Sequence, residues 1–249
     1  MNAIVTLNWN TTELLCNMYE SANKNCLNEF CTIIVDNGSE LKEYEQLLQY
    51  FFNKKNVKIF RLEKNVGFAA GNNVGLSLIN DNIDLVFFIN SDIIVDERNW
   101  DDKFESVMIE GVGVVGCAYH PLKWTREGRF QIQQFTRDTI IDSETVQGAF
   151  FSIPFRVLRD VKDREGFWFD EEFKFAHYEE TDLCLRIMKR GYKCKWFFLE
   201  HQHLHNKSAT KKNGYSLSDS IRNVEDFKNN SERNRQRLLM KHKEFFDGR

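Results

Sequence analysis

Hydrophobic and polar positions alternate with two different periods along the first hundred residues of the chain. Four short apolar or β-branched runs, at residues 4–7, 31–35, 57–60 and 85–89, have the length and composition of strands. Between them, apolar residues recur at helical spacing around residues 14–22, 44–51 and 72–78. The fourth run is apolar on both faces, which is typical of a central parallel strand. Strands and helices in this alternation predict βαβ units and therefore an α/β fold.

The second half of the chain has a less regular pattern. Residues 112–118, 147–153 and 195–198 predict strands, and an irregular polar stretch occupies residues 120–144. Residues 181–190 predict a helix that ends at Gly191. Charge rises after residue 206, and residues 217–246 predict a solvated amphipathic helix.

Polar residues follow each of the four predicted N-terminal strands. These segments are Asn8-Trp9-Asn10, Asp36-Asn37-Gly38-Ser39, residues 64–67 with 71–73, and Asn90-Ser91-Asp92. Ligands of open parallel sheets bind beyond the carboxyl ends of the strands, where all four segments would meet. Each segment alone also fits an ordinary turn. Together they favour a polar ligand, and a nucleotide is the natural candidate because Gly and backbone amides allow phosphates to approach closely.

Composition and charge narrow the function further. The 249 residues carry a formal net charge of -3, so no global basic field predicts a nucleic-acid partner. No apolar run approaches the roughly 18 to 20 residues of a transmembrane segment, and the first residues do not resemble a signal peptide. The six cysteines are scattered without Cys-x-x-Cys spacing. These features predict a cytoplasmic protein with reduced thiols.

Asp92 is the first residue that suggests specific chemistry. It follows the buried fourth strand, so its carboxylate would face a diphosphate bound at the sheet edge. That arrangement is repulsive unless a divalent cation such as Mg²⁺ or Mn²⁺ lies between the two groups. The alternative is an Asx-turn that only ends the strand. By contrast, the G-x-G-x-x-G string at residues 111–116 is itself strand-like, and it therefore does not predict a dinucleotide site.

Three carboxylates lie at the start of a predicted helix, in Glu179-Glu180-Thr181-Asp182. The helix dipole and capping favour acids there, and a general base is the functional alternative. Arg186 lies four residues after Asp182 and can pair with it, which predicts a structural role for Asp182. Glu179 and Glu180 remain as candidates for the base.

His201, His203 and His205 alternate, so on a strand they would share one face. A dedicated zinc site would also need an ordered water and further partners. We therefore favour one histidine that completes the coordination of a cation held by Asp92.

Taken together, the chain resembles the family 2 glycosyltransferases of the GT-A fold, especially the rhamnosyltransferase-like branch, from residue 3 to about residue 208. The segments that carry the resemblance stand in the family's order, at residues 4–10, 35–39, 65–73, 89–92, 148–151, 169–173 and 179–186, followed by His203 and Ser208. The resemblance implies a Rossmann-like open mixed sheet flanked by helices. It also implies a glycosyltransferase domain over residues 1–205, with a nucleotide-binding half of about 1–100 and an acceptor half of about 101–205. Residues 206–249 would form a charged helical appendage.

The family's roles carry over to matching positions of this sequence. Residues that would surround the nucleotide are Leu7, Asn8, Asp36, Asn65, the Gly71-Asn72 turn, Asn90 and Ser91. Asp92 would be a metal ligand, joined by His203, or by His205 if the register slips. Glu180 stands where the family has its catalytic aspartate, with Glu179 as the alternative base. Residues that would line the sugar and acceptor site are Gly148, Ala149, Phe150 and Trp168.

Two departures from the family pattern affect these roles. Asn90 replaces the first acid of the Asp-x-Asp metal motif, which weakens metal affinity. Glu180 reaches one methylene further than the family's aspartate, so the base could instead be Glu179.

The resemblance implies an inverting transfer of a sugar, with rhamnose as the first candidate. The donor would be a dTDP, UDP or GDP sugar and the acceptor a saccharide or lipid-linked saccharide. An inactive nucleotide-sugar-binding scaffold and a sugar nucleotidyltransferase are the alternatives, although the Gly-rich cationic loop of the latter is missing after the first strand. The sequence leaves open whether the tail forms a homodimer, covers the acceptor site or contacts a membrane surface.

Overall fold

The computed structural model describes residues 1–118, 121–125, 128–132, 135–175, 177–204 and 224–247. Its strands are β1 Asn2–Asn8, β2 Phe30–Asp36, β3 Val57–Arg61, β4 Leu85–Ile89, β5 Ile93–Val95, β6 Val112–Gly116, β7 Leu122–Thr125, β8 Gly128–Gln131, β9 Ile140–Ser143, β10 Phe150–Pro154, β11 Lys193–Phe197 and β12 His201–His203. Its helices are α1 Thr12–Asn25, α2 Leu41–Phe51, α3 Phe68–Ser77, α4 Trp100–Val107, α5 Phe155–Glu165, α6 Glu179–Met188, α7 Val224–Lys241 and α8 Lys243–Asp247.

Eight strands form one mixed sheet in the order β3-β2-β1-β4-β10-β6-β11-β9. The first four strands along the chain pair in parallel, as predicted. Strand β10 runs antiparallel to both β4 and β6, and β9 runs antiparallel to β11. The predicted α/β class, with an open mixed sheet flanked by helices, is confirmed.

Two hydrophobic clusters cover the two faces of this sheet. Successive residues of β4 alternate between them, with Phe87 and Ile89 in one cluster and Val86 and Phe88 in the other. The first cluster includes side chains from α1, α2 and α4, and the second includes side chains from α3, α5 and α6. Strand β4 is buried on both sides, which explains its uninterrupted apolar sequence.

The stretch predicted to be irregular, residues 120–144, contains regular structure. Strands β7 and β8 pair antiparallel, and β9 extends the main sheet as its last strand. Strand β9 belongs to an edge and has one neighbour, so its outward residue Ile140 is 52% exposed. A short edge strand with mixed polarity has no strong hydrophobic period, and the sequence prediction missed it for that reason.

In the described part of the predicted C-terminal helix, residues 224–246, the structure has two helices, α7 and α8, and residues 217–223 lie outside the described residues. Leu238 on α7 and Phe246 on α8 join Trp124, Phe173, Tyr178 and Leu185 in a third hydrophobic cluster. Asn234 and His242 are also buried. The tail therefore contributes to the core instead of being only a solvated face. None of the helices in the described part of the chain is both long enough and apolar enough to cross a bilayer.

Candidate active site

The carboxyl ends of β1 and β2 carry a buried polar cluster. Asn8 Nδ2 donates a hydrogen bond of 3.0 Å to Asp36 Oδ1, and both side chains are fully buried. The other carboxylate oxygen of Asp36 accepts from the Ser39 backbone amide at 3.3 Å and lies 3.6 Å from Arg61 Nε. Asp36 is therefore held in one orientation by three partners.

Arg61 is a candidate site residue that the sequence analysis did not predict. It is the last residue of β3, its guanidinium carbon lies 4.2 Å from the centre of the Tyr44 ring, and its Nη2 donates to the Ser39 carbonyl at 3.1 Å. A signal was available, because a residue that ends the third parallel strand belongs to the same sheet edge as Asn8 and Asp36.

The loop before α3 lies beside this cluster. Asn37 Nδ2 donates to Asn65 Oδ1 at 2.8 Å, and Asn37 Oδ1 accepts from the Val66 amide at 2.9 Å. Leu7 packs closely against Gly71, where a Cβ would lie only 3.0 Å from Leu7 Cδ1. The structure thus brings the predicted residues Leu7, Asn65 and Gly71 to one place.

The prediction of a Gly71-Asn72 turn is wrong. Both residues lie inside helix α3, and Asn72 Nδ2 donates to the Phe68 carbonyl of the same helix at 2.9 Å. The turn is made earlier by Gly67, whose φ of 95° is in the left-handed region that favours glycine. A helix starting at Phe68 satisfies the backbone of these residues and leaves a short loop between β3 and α3.

Asp92 and His203 meet beyond the end of β4. Strand β12 pairs antiparallel with β5, and the Leu204 amide donates to the Asp92 carbonyl at 2.8 Å. This pairing places His203 Nε2 3.2 Å from Asp92 Oδ2, with the Asp92 side chain buried. Ser91 next to it contacts Thr11, with 3.1 Å between the hydroxyl oxygens. Residues 111 positions apart are therefore joined at the sheet edge.

This pair could hold a divalent cation whose remaining coordination positions are filled by a bound substrate. A carboxylate oxygen and an imidazole nitrogen are accepted donors for Mn²⁺, and Mg²⁺ prefers oxygen. Within the described ranges, no group of three or more His, Cys, Asp and Glu side chains could hold a metal by itself. A cation at Asp92 and His203 would therefore need oxygen atoms from elsewhere, and a diphosphate could supply them.

The other two histidines of the alternating set differ from His203. His201 Nδ1 lies 2.8 Å from the Leu199 carbonyl, and burial lowers the pKa of its imidazole. Its ring lies beside Phe150, with 6.2 Å between the ring centres. His205 lies outside the described residues.

Glu179 and Glu180 begin helix α6 in two different environments. Glu179 is buried, and this burial together with the charge of Glu180 raises the pKa of its carboxyl group to about 8. Glu180 is half-buried and packs against Gly148, where a Cβ would lie 3.4 Å from Glu180 Cγ. Next to Gly148, the Ala149 carbonyl accepts from the Asn90 amide at 2.9 Å. Glu180 is thus connected through Gly148 and Ala149 to the segment that carries Asp92.

Asp182 is enclosed by three cationic or proton-donating side chains. Arg186 Nε lies 2.7 Å from Oδ2, and Lys241 Nζ and His242 Nε2 each lie 2.8 Å from Oδ1. Burial alone would raise the pKa of this carboxyl, but the His242 hydrogen bond and the charges of Arg186 and Lys241 outweigh it and hold the pKa well below its usual range. The predicted pairing of Asp182 with Arg186 is present.

Phe150 and Trp168, two predicted acceptor-site residues, have buried side chains. Phe150 packs in the core against Trp100, with 5.6 Å between the ring centres, so only its backbone can face a ligand. The ring of Trp168 lies under Lys162 of α5, whose Nζ is 3.7 Å from the ring centre. The Trp168 carbonyl accepts a hydrogen bond from Arg186 Nη2. The roles of both residues in acceptor binding stay predictions.

Solved glycosyltransferase structures share this fold. GalNAc-T7 with UDP, GalNAc and Mn²⁺ matches with a TM-score of 0.66 and 13% identity, over 79% of this chain and 42% of that chain. S. aureus TarS 1-349 matches with a TM-score of 0.59 and 20% identity, over 79% of this chain and 58% of that one. The mannosyltransferase PcManGT from Pyrobaculum calidifontis, in complex with GDP-Man and Mn²⁺, matches with a TM-score of 0.58 and 12% identity, over 77% and 53% of the two chains.

The chain spans about half the length of these structures, and identities this low establish the GT-A fold only. No curated protein sequence matches the chain significantly. The family model for Glycosyl transferase family 2 matches residues 3–167, which is most of the chain and includes the ends of β1, β2 and β4. The chain therefore belongs to glycosyl transferase family 2.

Proposed function

We propose that this protein is an inverting glycosyltransferase that moves a sugar from a nucleoside diphosphate to a hydroxyl of a saccharide or lipid-linked saccharide. The observation that carries the proposal is the Asp92–His203 pair at the end of β4, connected through Gly148 to Glu180. A metal-binding carboxylate and a candidate base at one sheet edge are what a single displacement at the anomeric carbon requires.

The donor would bind along the ends of β1, β2 and β4. Arg61 is exposed and can donate to a base or ribose, while the buried Asn8–Asp36 pair holds its guanidinium in place. The GalNAc-T7 structure contains UDP with Mn²⁺ and the PcManGT structure contains GDP-Man with Mn²⁺, which supports a nucleoside diphosphate sugar here. A dTDP-rhamnose donor stays our first candidate from the branch resemblance, with UDP and GDP sugars as the alternatives.

Asp92 and His203 would hold a Mg²⁺ or Mn²⁺ ion, because their oxygen and nitrogen atoms are suitable donors and lie 3.2 Å apart. When bound, the ion supplies positive charge that neutralises the negative charge developing on the diphosphate leaving group. Asn90 provides no charge of its own, so Asp92 is the one carboxylate of the Asn90-Ser91-Asp92 segment available to a cation.

Glu180 is our candidate for the general base. Glu179 is protonated at neutral pH because its pKa is about 8, and its burial keeps an acceptor hydroxyl away from it. Glu180 is half-buried and lies against Gly148, where an approaching hydroxyl can reach it. In the reaction, Glu180 takes the proton of the acceptor hydroxyl while that oxygen attacks the anomeric carbon. On the opposite side, the bond from this carbon to the diphosphate oxygen breaks and the nucleoside diphosphate leaves with the electron pair. The configuration at that carbon is therefore inverted.

The experiment compares Asp92→Ala and Glu180→Gln with the wild-type protein. We expect both substitutions to lower transfer by about 100-fold or more, since a general base alone contributes roughly 10² to 10⁴. Only Asp92→Ala should weaken metal-dependent binding of the donor, measured by calorimetry with and without Mn²⁺. Asp163→Ala, which changes an exposed acid on α5, is the matched control and should behave as wild type.

A nucleotide-sugar-binding scaffold is the alternative that Asn90 favours, because the segment lacks its first acid. A scaffold would bind the donor without transferring the sugar. It would also show no slow, metal-dependent hydrolysis of the donor. Wild-type activity in Glu180→Gln would remove that residue from its role, and unchanged donor binding in Asp92→Ala would remove the metal site from position 92.

A further inference from the structure

We propose that the C-terminal helices position Glu179 and Glu180, with Asn234 on α7 and His242 after it as the positioning residues. This inference rests on the proposed function, because it assigns these residues to the geometry of the candidate base. The helices act on two segments of the chain. One is the approach to α6, defined here as residues 170–175, 177 and 178, and the other is the first turn of α6 itself.

Asn234 binds the backbone of the approach directly. Its side chain is buried, and its Nδ2 donates to the His177 carbonyl at 3.1 Å and to the Lys174 carbonyl at 2.5 Å. Asn230 lies one turn earlier on α7 and donates to the Phe175 carbonyl. Two amide side chains on one face of a helix therefore satisfy three carbonyls just before Glu179.

The last two residues of the approach have a conformation that needs such support. His177 and Tyr178 have φ values of 78° and 80°, the left-handed region that non-glycine residues rarely adopt. Such conformations persist only where surrounding contacts determine them. Asn234 holds the His177 carbonyl, and Tyr178 packs in the third hydrophobic cluster with Phe246 of α8.

His242 fixes the first turn of α6 from the other side. Its side chain is 1% exposed, and its Nε2 lies 2.8 Å from Asp182 Oδ1. Lys241 bridges Asp182 at 2.8 Å and Asp170 at 2.6 Å, so it joins the start of the approach to the helix. Glu179 and Glu180 thus lie between Asn234's contacts at residues 174 and 177 and His242's contact at residue 182.

These contacts reach the backbone at residues 174 and 177 and the side chain of Asp182, on either side of the two glutamates. Their effect on the reaction would therefore pass through the position of Glu180. Proton transfer needs the base within hydrogen-bond reach of the acceptor hydroxyl, and a misplacement of about 1 Å can reduce the rate roughly 100-fold. The proposed donor site lies at the ends of β1, β2 and β4, whereas Asn234 and His242 bind residues 174, 177 and 182.

The test uses the full chain with Asn234→Ala, His242→Leu and the conservative His242→Gln, whose amide can still donate to Asp182. Gln236→Ala is the control, because it removes an exposed hydrogen bond to Glu232 on the same helix. We would measure kcat and KM for transfer, the affinity and stoichiometry of UDP with Mn²⁺ by calorimetry, and amide hydrogen exchange over residues 170–182.

We expect Asn234→Ala and His242→Leu to lower kcat at least tenfold, with the stoichiometry and affinity for the nucleotide changed less than twofold. The kcat of His242→Gln should lie within about threefold of the wild-type value. The kcat of Gln236→Ala should equal the wild-type value. Hydrogen exchange should rise over residues 170–182 in the first two variants and stay unchanged over β1, β2 and β4. A substitution that merely unfolds the protein would lower the stoichiometry in parallel with kcat.

The proposal is overturned if Asn234→Ala keeps wild-type kcat, or if kcat falls only in proportion to the binding-competent fraction. It is also overturned if hydrogen exchange over residues 170–182 is unchanged in both variants. A wild-type protein without transfer for any donor would instead contradict the proposed function. Hydrogen exchange would then still decide whether the C-terminal helices hold the approach to α6.

Discussion

Three carboxylates within four residues of α6 differ because of what surrounds each one. Glu179 is buried next to the charge of Glu180, and its pKa rises to about 8. Asp182 is equally buried, but Arg186, Lys241 and His242 keep its pKa well below the usual range. Glu180 remains half-buried beside Gly148. Burial thus favours the neutral form of Glu179, and pairing gives Asp182 a structural role. Partial exposure leaves Glu180 as the candidate base.

The raised pKa of Glu179 predicts a particular dependence of stability on pH. An unfolded glutamate ionises near 4.5, whereas the folded carboxyl keeps its proton up to about 8. Between these values the folded state binds more protons than the unfolded state, so the free energy of unfolding falls as pH rises. By pH 7 this effect has lowered the free energy of unfolding by up to about 3 kcal/mol relative to low pH. Glu179→Gln removes this loss.

Urea unfolding of both proteins between pH 5.5 and 8 measures this effect. We expect the stability of Glu179→Gln, relative to wild type, to increase steadily over that range. Asp163→Asn, which changes an exposed acid, should follow the wild-type profile. Parallel curves for wild type and Glu179→Gln would show that Glu179 is ionised in the folded protein.

Helix α3 shows how one element sets the shape of the nucleotide end of the sheet. Glycine at two positions lets it lie close to β1, because Gly71 faces Leu7 and Gly75 faces Val5. Gly67 begins the helix with a positive φ and thereby directs the chain from Asn65 into it. The distance between α3 and β1 therefore determines the space beside Leu7 and Asn8.

Gly75→Ala should destabilise the protein even though alanine is the better helix former by about 1 kcal/mol. The added Cβ would lie 2.5 Å from Val5 Cγ1 in the buried core, so α3 or Val5 must move. We expect a loss of roughly 1 to 3 kcal/mol in the free energy of unfolding, as for other overpacked sites.

A double-mutant cycle with Val5→Ala tests the cause of this loss. Val5→Ala provides room for the new methyl group, so the double variant should be more stable than the sum of the single effects predicts. Additive losses would show that the Gly75→Ala effect does not arise from contact with Val5.

At the scale of the whole molecule, the candidate site lies where the parallel half of the sheet meets the antiparallel strand β10. Strand β4 ends there beside β10, and the Asn90 amide bonds to the Ala149 carbonyl at 2.9 Å. Segments distant along the chain converge on this junction, including His203 from β12 and Glu180 from α6. The donor and the divalent cation should therefore stabilise the protein cooperatively.

Thermal unfolding should report this coupling. At 100 times its dissociation constant, a ligand adds about 2.7 kcal/mol of stability, which corresponds to a rise of roughly 5 to 10 °C in Tm for a chain of this size. We expect UDP, dTDP or GDP to produce such a rise with Mn²⁺ and a much smaller one after chelation by EDTA. Asp92→Ala should abolish the difference between the two conditions.

The comparison among the three nucleotides also ranks the donor classes. A shift that is equal with and without Mn²⁺ would contradict a shared site for the ion and the diphosphate. No shift with any of the three nucleotides would contradict the proposed donor class.

The sequence by itself determined the local architecture of the nucleotide half. Strands β1 to β4 and the helices between them follow from strong hydrophobic periods, and the polar segments after Leu7, Val35 and Ile89 indicated the ligand-binding edge. The spacing of Asp182 and Arg186 predicted their ion pair. These signals are local, because each depends on residues close together in the chain.

Only the tertiary structure decided which distant residues meet. The contact of His203 with Asp92 depends on the pairing of β12 with β5, and the difference between Glu179 and Glu180 depends on which of them the core covers. Helix α3 includes the Gly71-Asn72 pair because packing on β1 overrides the turn preference of those residues. The edge strand β9 and the docking of α7 could likewise not be predicted from the sequence. Strand pairing and burial are set by long-range contacts that local periodicity does not encode.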